Sequence, residues 1–408
     1  MKGMVTPLRL RSLGEDAGRK VTWLELFFDL IFVAAVSQVA EPLREHYTLE
    51  GLIRFAPLFA LIWWAWIGHT VFSTRFDTDD AMQRGLTLVQ MFVVAVMAAN
   101  AKDALDSRAS AGFAAAYAAL RFLLVAQYLR ASTLPEARPL TLRYLIGHGA
   151  AAVLWMTSAL VPAPERFWIW GLAFAIDLGT PWLAIRHSVA IPPDAAHLPE
   201  RFGLFTLILL GEAVIAVMQG MESQEDWSPA AATSAFLGMA ISFLIWWWYF
   251  DGAAGGSEQP VRTTREALRF HIWTYAHFPL SLGIVIAGVG VQRTVTAASH
   301  TVLTATDNAL LVSAITAVML SLTLIGAVST GRHAGSRSVL VWNLFITAVT
   351  VILGVAARIT TPVLMIVTMA TLCAWQLLVS LPEGSMLAVQ ARQPATHLEQ
   401  SPNARREG

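Results

Sequence analysis

Long apolar runs separated by short polar segments dominate most of the chain. A helix needs about 20 apolar residues to cross the hydrocarbon core of a bilayer. Two runs leave the number of spans open between ten and twelve, because 111–129 is alanine-rich and contains Arg121, and 142–161 contains His148. The pattern predicts an all-α polytopic membrane protein with about 12 transmembrane helices, at 22–40, 52–72, 83–100, 111–129, 142–161, 167–186, 201–219, 231–250, 270–291, 304–328, 338–356 and 359–380.

Composition supports a lipid environment and excludes several other classes of protein. Of the 408 residues, 56% are hydrophobic and 14% are charged, whereas soluble domains carry about 25% charged residues. The 28 basic residues cancel the 28 acidic residues, which argues against a basic nucleic-acid-binding face. The single cysteine, Cys373, excludes an intramolecular disulfide and a multi-cysteine metal site. We therefore expect a lipid bilayer as the main partner, no nucleic-acid partner and no cofactor.

The distribution of Lys and Arg predicts the orientation of the chain. Short cytoplasmic loops of membrane proteins carry an excess of these residues. If the amino terminus is cytoplasmic, the predicted cytoplasmic segments hold 20 Lys and Arg residues, the outer loops hold seven, and Arg121 falls within a helix. This asymmetry predicts an inner-membrane protein with both termini in the cytoplasm. A basic arm at 1–21 and a polar, disordered tail at 381–408 would both lie on that side.

The two halves of the chain resemble each other at an offset of 183 residues. The sequence Leu-Ile-Trp-Trp at 61–64 recurs at 244–247, and Asp29 in the first predicted helix aligns with Glu212 in the seventh. Six helices per half bring both halves into the membrane from the same side, which predicts two parallel six-helix repeats. The predicted domains are the first repeat at 22–186, a cytoplasmic linker at 187–200 and the second repeat at 201–380.

Carboxylates inside predicted helices are the first candidates for a functional site, because an ionisable group in the bilayer core must be paired or hydrated. Asp29 and Glu25 are four residues apart and share one face of the first helix. Glu212 lies near the middle of the seventh helix without a local partner, and Gln219 follows two turns later. These four residues predict a path for an ion, a proton or a substrate. The alternative is structural, with Glu25 in a helix cap formed with Thr22, Asp29 in an ion pair, and Glu212 hydrogen-bonded for packing.

Three further residues are candidates for charge partners or a proton relay. Arg121 and Asp177 fall within helices of the first half, where a structural salt bridge would satisfy both, although Arg121 could equally neutralise Asp29. His277 could join a proton relay with Tyr275 or could be a packed, hydrogen-bonded residue. The chain lacks HExxH and CxxC motifs, so no metal site is predicted.

Clusters of tryptophan occur in the second and eighth predicted helices. Trp63, Trp64, Trp246 and Trp247 exceed what an interfacial aromatic belt requires. They could form a constriction along a path, or they could pack against neighbouring helices.

Three segments of the chain are similar to one family. Residues 23–32, Trp-Leu-Glu-Leu-Phe-Phe-Asp-Leu-Ile-Phe, resemble the opening signature of the bacterial low temperature requirement protein A family. Residues 199–205 with Leu-Gly-Glu at 210–212 resemble its second hallmark, and residues 277–290 are similar to a third. The resemblance implies a polytopic inner-membrane protein of bacteria but no particular biochemical activity. The motif residues that match are Glu25, Phe27, Phe28, Asp29, Glu200, Arg201, Phe202, Gly203 and Glu212.

Three functions are compatible with these observations. The predicted carboxylate path favours transport or conduction of a small cation or a proton-coupled solute. A structural or sensory membrane protein without transport activity is the alternative, and a lipid-modifying membrane enzyme that uses the same carboxylates is a second alternative. The sequence lacks a Walker loop, a dinucleotide-binding fingerprint and a Gly-x-Ser-x-Gly motif, which disfavours an ATP-driven pump more than an enzyme that acts on lipid. We expect that the protein is not an enzyme. The sequence predicts neither the ion or solute nor the oligomeric state.

Overall fold

Each apolar run of the sequence corresponds to one long helix in the computed structural model, which describes residues 9–10, 21–77, 80–106, 109–224, 228–253, 258–298, 302–329, 337–356 and 360–381. The helices are α1 (Trp23–Glu45), α2 (Leu49–Arg75), α3 (Ala81–Ala99), α4 (Ser110–Ala131), α5 (Arg138–Leu160), α6 (Glu165–Leu183), the short α7 (Ile185–Ser188), α8 (His197–Glu222), α9 (Pro229–Trp247), α10 (Thr264–Ala297), α11 (Ala305–Val328), α12 (Arg337–Ala356) and α13 (Pro362–Ser380). A π-helical turn, Trp248–Gly252, continues α9.

Capping residues explain where several helices begin. At the start of α1, the Thr22 hydroxyl accepts a hydrogen bond from the Glu25 backbone N–H at 3.3 Å, and the Glu25 carboxylate accepts one from the Thr22 backbone N–H at 2.9 Å. The same reciprocal arrangement begins α10 and α11. Each arrangement satisfies backbone donors that the first turn of a helix leaves free. The predicted capping role of Glu25 is therefore confirmed.

Ten helices in the described part of the chain are long and apolar enough to cross a membrane. These include α4, which corresponds to the alanine-rich run, but not α5 or α6. α5 contains Arg143, Tyr144 and His148, and α6 contains Arg166 and Asp177, all of which lower the mean hydropathy. The chain is therefore a polytopic, helical membrane protein with ten candidate spans, and the predicted number of 12 is not confirmed.

Several helices extend beyond their apolar runs, and the extensions of α1 and α8 shift the boundaries that matter for the contacts described below. α1 continues to Glu45 rather than ending at residue 40, and α8 begins at His197 rather than at residue 201. The predicted linker 187–200 therefore contains the end of α7 and the first turn of α8. A helix can continue past its apolar run, because polar residues in the end turns form the same backbone hydrogen bonds as the apolar residues before them.

The predicted arm and tail are described only in small part. Within 1–21, the strand β1 (Arg9–Leu10) pairs antiparallel with β2 (Phe76–Asp77), which directly follows α2. The other residues of the arm up to residue 20, and the tail beyond Leu381, lie outside the described residues. The predicted disorder of the tail therefore stays a prediction.

Part of the packing order is common to both halves of the chain. In α1–α6, the first helix packs against the second and third, and the third, fourth, fifth and sixth pack in sequence. α8–α13 repeat these contacts, but α9 also packs against α10 and α13, whereas α2 makes no comparable contact with α3 or α6. The halves meet where α1 and α2 pack against α8 and α10. α10 has 34 residues and is buried along most of its length. The internal repeat itself stays a prediction.

Glycine lets α10 approach its neighbours closely. A Cβ atom at Gly288 would lie 3.0 Å from the Cα atom of Ala213 in α8, and one at Gly283 would lie 2.9 Å from the carbonyl oxygen of Ala314 in α11. Small residues permit this kind of backbone approach between membrane helices. α10 therefore forms the centre of the second half and also contacts the first.

Large apolar side chains cover the outer surface of the bundle. In α5, they recur along one face, while His148 and Tyr144 are buried on the opposite side. An exposed apolar surface of this extent is typical of contact with lipid. Exposed examples from several helices are Trp23, Phe92, Ile146, Leu160, Trp168, Leu183, Phe236 and Ile352.

Candidate functional site

α1 and α8 lie side by side and run in the same direction where the halves meet. Near the start of both helices, Asp29 of α1 contacts Arg201 of α8. Further along both helices, Ser37 of α1 contacts Glu212 of α8. Because a later residue of α1 contacts a later residue of α8, the two helices are parallel. We call this interface the α1–α8 seam.

A buried cluster of charged and polar side chains lies at the amino-terminal end of the seam. Arg201 binds Asp29 through two nitrogen atoms, with Nη2 2.5 Å from Oδ1 and Nε 3.1 Å from Oδ2. Trp66 of α2 donates its indole N–H to the same Oδ1 at 2.7 Å. Asp29 and Arg201 are both 0% exposed, so this bidentate ion pair is isolated from solvent. We call Glu25, Asp29, Trp66, His197 and Arg201 the Asp29 cluster.

Arg201 is shared between two carboxylates. Its Nη1 lies 3.5 Å from Oε1 of Glu25, one turn before Asp29. The same Glu25 oxygen lies 3.2 Å from Nε2 of His197, and Nδ1 of that histidine lies 3.6 Å from Oε2 of the half-buried Glu200. Two carboxylates therefore face one guanidinium, with the His197 imidazole beside Glu25.

The spacing of residues on each helix produces this arrangement. Glu25 and Asp29 are one turn apart on α1, and His197 and Arg201 are one turn apart on α8, so each pair projects from one face of its helix. The start of α8 is fixed by Asp194, whose carboxylate accepts the backbone N–H of His197 at 2.8 Å. Parallel helices therefore place two acids directly against two basic side chains.

Aromatic rings enclose the Asp29 cluster on the side of the second half. The Trp66 ring stacks on Phe205 with centroids 4.2 Å apart and meets the Phe202 ring edge-on at 5.1 Å. Phe202 in turn lies 4.5 Å from the His277 ring of α10. These contacts hold the indole donor in place and exclude water from the ion pair.

His277 is paired differently from the sequence prediction. Its Nδ1 lies 2.8 Å from the Trp273 backbone carbonyl, and its Nε2 lies 3.1 Å from the Tyr249 hydroxyl. Because a carbonyl only accepts, Nδ1 carries the proton and Nε2 accepts from Tyr249. The predicted partner Tyr275 instead donates to the Leu178 carbonyl at 2.8 Å. His277 and Tyr275 therefore do not contact each other directly, and the packed, hydrogen-bonded alternative fits His277.

Glu212 has no charged partner on its own helix, but α1 supplies one. Its Oε1 accepts a hydrogen bond from Ser37 at 2.7 Å and forms a salt bridge with Nη2 of Arg44. Arg44 also pairs with Glu41 at 3.1 Å. Arg44 was expected in an outer loop, and it reaches Glu212 because α1 continues to Glu45. We call Ser37, Glu41, Arg44 and Glu212 the Glu212 cluster.

The Glu212 cluster does not mirror the Asp29 cluster. Ser37 follows Asp29 by eight residues, so Glu212 lies about 12 Å further along the bundle. The two acids that align at the 183-residue offset therefore lie at different depths. Gln219, predicted to share the path with Glu212, is exposed and makes no described contact with the cluster.

A third buried cluster lies entirely within the first half. Asp177 of α6 lies 3.0 Å from Nε of Arg121 and 2.5 Å from Nδ1 of His148, which belong to α4 and α5. Arg121 also donates to the Tyr117 hydroxyl at 2.8 Å. The predicted Arg121–Asp177 salt bridge is confirmed, and the alternative pairing of Arg121 with Asp29 is wrong. We call Tyr117, Arg121, His148 and Asp177 the Asp177 cluster.

The tryptophans of the two halves occupy different environments. Trp63 and Trp64 of α2 are buried and pack against α10, with the Trp63 ring 5.3 Å from the Phe278 ring. Trp246 of α9 is exposed on the outer surface, and Trp247 is half-buried. The four residues therefore do not surround a common constriction, and the packing alternative fits Trp63 and Trp64.

Two of the remaining motif residues pack against the helix that follows in their own half. Phe28 is buried and stacks on the His69 ring at 4.0 Å, whereas its neighbour Phe27 is exposed on the outer surface. A Cβ atom at Gly203 would lie 3.1 Å from the Phe250 ring, so a larger residue there would push that ring away. These positions explain why small and aromatic residues surround the acidic ones in the motifs.

Sequence reasoning identified the acids but missed most of their partners. The role of Arg201 was one of these, although the residue itself belongs to a recognised motif. A usable signal was the one-turn spacing of His197 and Arg201, which matches that of Glu25 and Asp29. The other partners that were missed are Ser37, Arg44, Trp66, Tyr117 and His148.

The fold and its buried ion pairs define a polytopic helical membrane protein whose halves meet across paired charges. The sequence matches the bacterial low temperature requirement A protein (LtrA) family over residues 20–374, and the chain belongs to this family. It is 29% identical over 284 residues to the Uncharacterized protein RA0937 of Rhizobium meliloti (strain 1021), covering 66% of this chain and 68% of that protein. No solved structure matches the chain.

Proposed function

We propose that the protein transports a small cation, or a solute coupled to protons, across the bacterial inner membrane. In this proposal, the Asp29 cluster is the site of proton exchange. The observation that carries it is the sharing of one guanidinium by two carboxylates, next to a histidine, at the interface between the halves. Two carboxylates and an imidazole around one guanidinium supply groups that can accept and release a proton.

The position of the ion pairs on the seam supports transport rather than a purely structural role. Many transporters work by moving one half of the molecule against the other around a central site. The Asp29–Arg201 and Glu212–Arg44 pairs join the halves at two depths, so opening of the seam at one end would break one pair and leave the other. Protonation of the Asp29 cluster weakens the first pair and would favour that opening.

We further propose that all 12 long helices cross the membrane and that both termini are cytoplasmic. The parallel arrangement of α1 and α8 requires an even number of crossings before α8, so α5 and α6 either both cross or both do not. α5 and α6 have 23 and 19 residues, which correspond to about 34 and 28 Å of helix. Both lengths approach the thickness of the hydrocarbon core.

Cysteine labelling tests this topology, because the chain has a single cysteine to remove. In a Cys373→Ala background, Glu136→Cys in the α4–α5 turn is expected to react only from the cytoplasmic side. Glu165→Cys at the start of α6 is expected to react only from the periplasmic side. Both wild-type side chains are exposed. Labelling of both positions from the same side would show that α5 and α6 do not cross.

Ion flux in liposomes tests the transport proposal. Liposomes that enclose a pH-sensitive dye receive an external acid pulse in the presence of sodium, of potassium or of neither cation. We expect the wild-type protein to acidify the interior faster than protein-free liposomes in at least one of the two cations. Glu25→Gln removes one of the two carboxylates that share Arg201 and is expected to reduce the rate to the protein-free level.

The matched control for this measurement is Glu136→Gln, which removes a carboxylate that is exposed and distant from the seam. We expect it to retain the wild-type rate. Glutamine at position 25 can still complete the helix cap with Thr22, so loss of flux in Glu25→Gln would not reflect loss of α1. Equal rates for wild type and protein-free liposomes would contradict transport of either cation or of protons.

A structural or sensory role is the second candidate, because each of the three clusters pairs its acid with a guanidinium. This function predicts that substitutions in all three clusters reduce stability alike and that no substitution affects flux alone. Thermal unfolding measured beside flux therefore separates the two candidates.

A further inference from the structure

Arg75, the last residue of α2, is buried without a carboxylate partner in the described part of the chain. It is 2% exposed, and its Nη2 donates to the Ser188 hydroxyl at 3.2 Å. Tyr144 and Tyr128 interact with its charge, and the Tyr144 ring lies 5.3 Å from the guanidinium carbon. Nε and Nη1 nevertheless make no hydrogen bond to any described residue. Two donors of a buried cation therefore have no well-aligned acceptor among the described residues, although the Tyr128 and Tyr144 side chains lie within hydrogen-bonding reach of the guanidinium group.

Arg166 shows how this fold satisfies another buried arginine that lacks an acid. Its Nε donates to the carbonyl oxygens of Ser158 and Val161 at 3.1 and 2.9 Å, and its Nη2 donates to that of Ala159 at 3.3 Å. Its Nη1 donates to the Ser110 hydroxyl. All three nitrogen atoms of the guanidinium thus have acceptors, in contrast to those of Arg75.

The guanidinium of Arg75 borders a cavity of about 30 Å³ between α2, α4, α5 and α10. The polar residues that line it are Arg75, Tyr128, Tyr144, His148, His271, Thr274 and Tyr275. The Thr274 hydroxyl is buried and has no hydrogen-bond partner among the described residues. No described Asp or Glu lines the cavity. The lining therefore combines a positive charge with hydroxyl groups that can donate hydrogen bonds.

We propose that Arg75 and Thr274 bind a small inorganic anion such as chloride in this cavity. A buried charge requires compensation, and an anion would accept one hydrogen bond from an unpaired guanidinium donor, Nε or Nη1, and another from the threonine hydroxyl. The cavity has room for about one or two water molecules, so a monatomic anion fits, whereas a phosphate ester or an organic carboxylate does not.

This site goes beyond the proposed proton exchange at the Asp29 cluster. Arg75 belongs to the first half of the chain, and Thr274 on α10 belongs to the second. The anion therefore contacts both halves and stabilises their association at the end of the bundle where α2 finishes. On the predicted topology, this end is cytoplasmic.

Thermal unfolding of the full-length, detergent-solubilised protein in chloride and in gluconate tests the proposal at constant ionic strength. Gluconate is too large for the cavity. Because a ligand that binds only the folded state raises Tm as its concentration increases, we expect Tm of the wild type to rise with chloride and not with gluconate. Arg75→Gln should abolish the dependence on chloride. Thr274→Val should shift it to about tenfold higher chloride, because one hydrogen bond to the ion is lost.

Arg166→Gln is the matched control, since it removes a buried arginine that already has its acceptors. It is expected to lower Tm while retaining the wild-type response to chloride. If Arg75→Gln does not fold, Thr274→Val decides the result. A wild-type Tm that is equal in chloride and gluconate would overturn the proposal, as would an unchanged chloride response in both Arg75→Gln and Thr274→Val.

Discussion

The Asp29 and Asp177 clusters contain the same bond, a fully buried aspartate paired with an arginine, in two different settings. The Asp177 cluster joins α4, α5 and α6 within one half, and Arg121 has Asp177 as its carboxylate. The Asp29 cluster joins α1 and α2 of one half to α8 of the other, and Arg201 has two carboxylates.

The Arg121–Asp177 pair therefore holds helices together, whereas the Asp29–Arg201 pair can change its partner. Removal of one member of a buried pair leaves an unpaired charge and is strongly destabilising. Arg121 cannot lose Asp177 without this penalty, whereas Arg201 can retain Glu25 when Asp29 is protonated or displaced. The shared pair therefore suits an interface that moves, and the unshared pair suits one that stays closed.

The largest expected effect on stability is that of Asp177→Asn. It leaves Arg121 without a carboxylate, and we expect a loss of about 3–5 kcal/mol in the free energy of unfolding. Unfolding titrations in mixed micelles measure this loss. The double variant Asp177→Asn/Arg121→Gln should recover part of it, because no unpaired charge is left. A single-variant loss below about 1 kcal/mol would show that the pair does not fasten the first half.

Asp29→Asn should be less destabilising than Asp177→Asn, although both aspartates are fully buried. Arg201 keeps Glu25 as a partner, so we expect a loss of about 1–3 kcal/mol, typical of a disrupted buried hydrogen-bonding group. The same unfolding titration provides the measurement. A loss equal to that of Asp177→Asn would show that Glu25 does not compensate for the missing carboxylate.

Glu212→Gln should have a smaller effect, because Arg44 retains Glu41 at 3.1 Å and lies at the partly exposed end of the seam. We expect a loss of about 1 kcal/mol. The measurement is thermal unfolding beside the wild type, with Glu41→Gln as the control that removes the exposed partner instead. A loss larger than that of Asp29→Asn would place the stronger contact of the seam at Glu212.

Glu25→Gln should have the smallest effect on stability and a large effect on flux. Glutamine can still cap α1, and Arg201 retains its bidentate pair with Asp29, so we expect a change below about 1 kcal/mol. Unfolding titration and the liposome assay on the same preparation test this expectation. Wild-type flux together with reduced stability would restrict Glu25 to a structural role.

The helical elements and one ion pair could be predicted from the sequence. Each apolar run became a helix because about 20 apolar residues specify a membrane helix without reference to its neighbours. The Arg121–Asp177 pair was predictable because both residues fall within helices of the same half. Glu25 was recognisable as a cap because its partner Thr22 lies three residues away.

The partners of Asp29 and Glu212 could not be predicted, because they depend on where the helices end and which helices touch. Hydropathy placed Arg201 at the edge of its helix and Arg44 in a loop, where neither requires a partner. The backbone ladder extends each helix by about one turn, which brings both arginines into the seam. Their acids are 172 and 168 residues away in sequence, and only the packing of α1 against α8 joins them.

Comparison of flux per folded molecule in Asp29→Asn and Asp177→Asn tests the central claim most directly. The claim is that the shared ion pair at the seam supports transport, whereas the unshared pair supports stability. We expect Asp29→Asn to reduce flux to the protein-free rate with the smaller loss of stability, and Asp177→Asn to retain flux despite the larger loss. Retained flux in Asp29→Asn together with abolished flux in Asp177→Asn would contradict the claim.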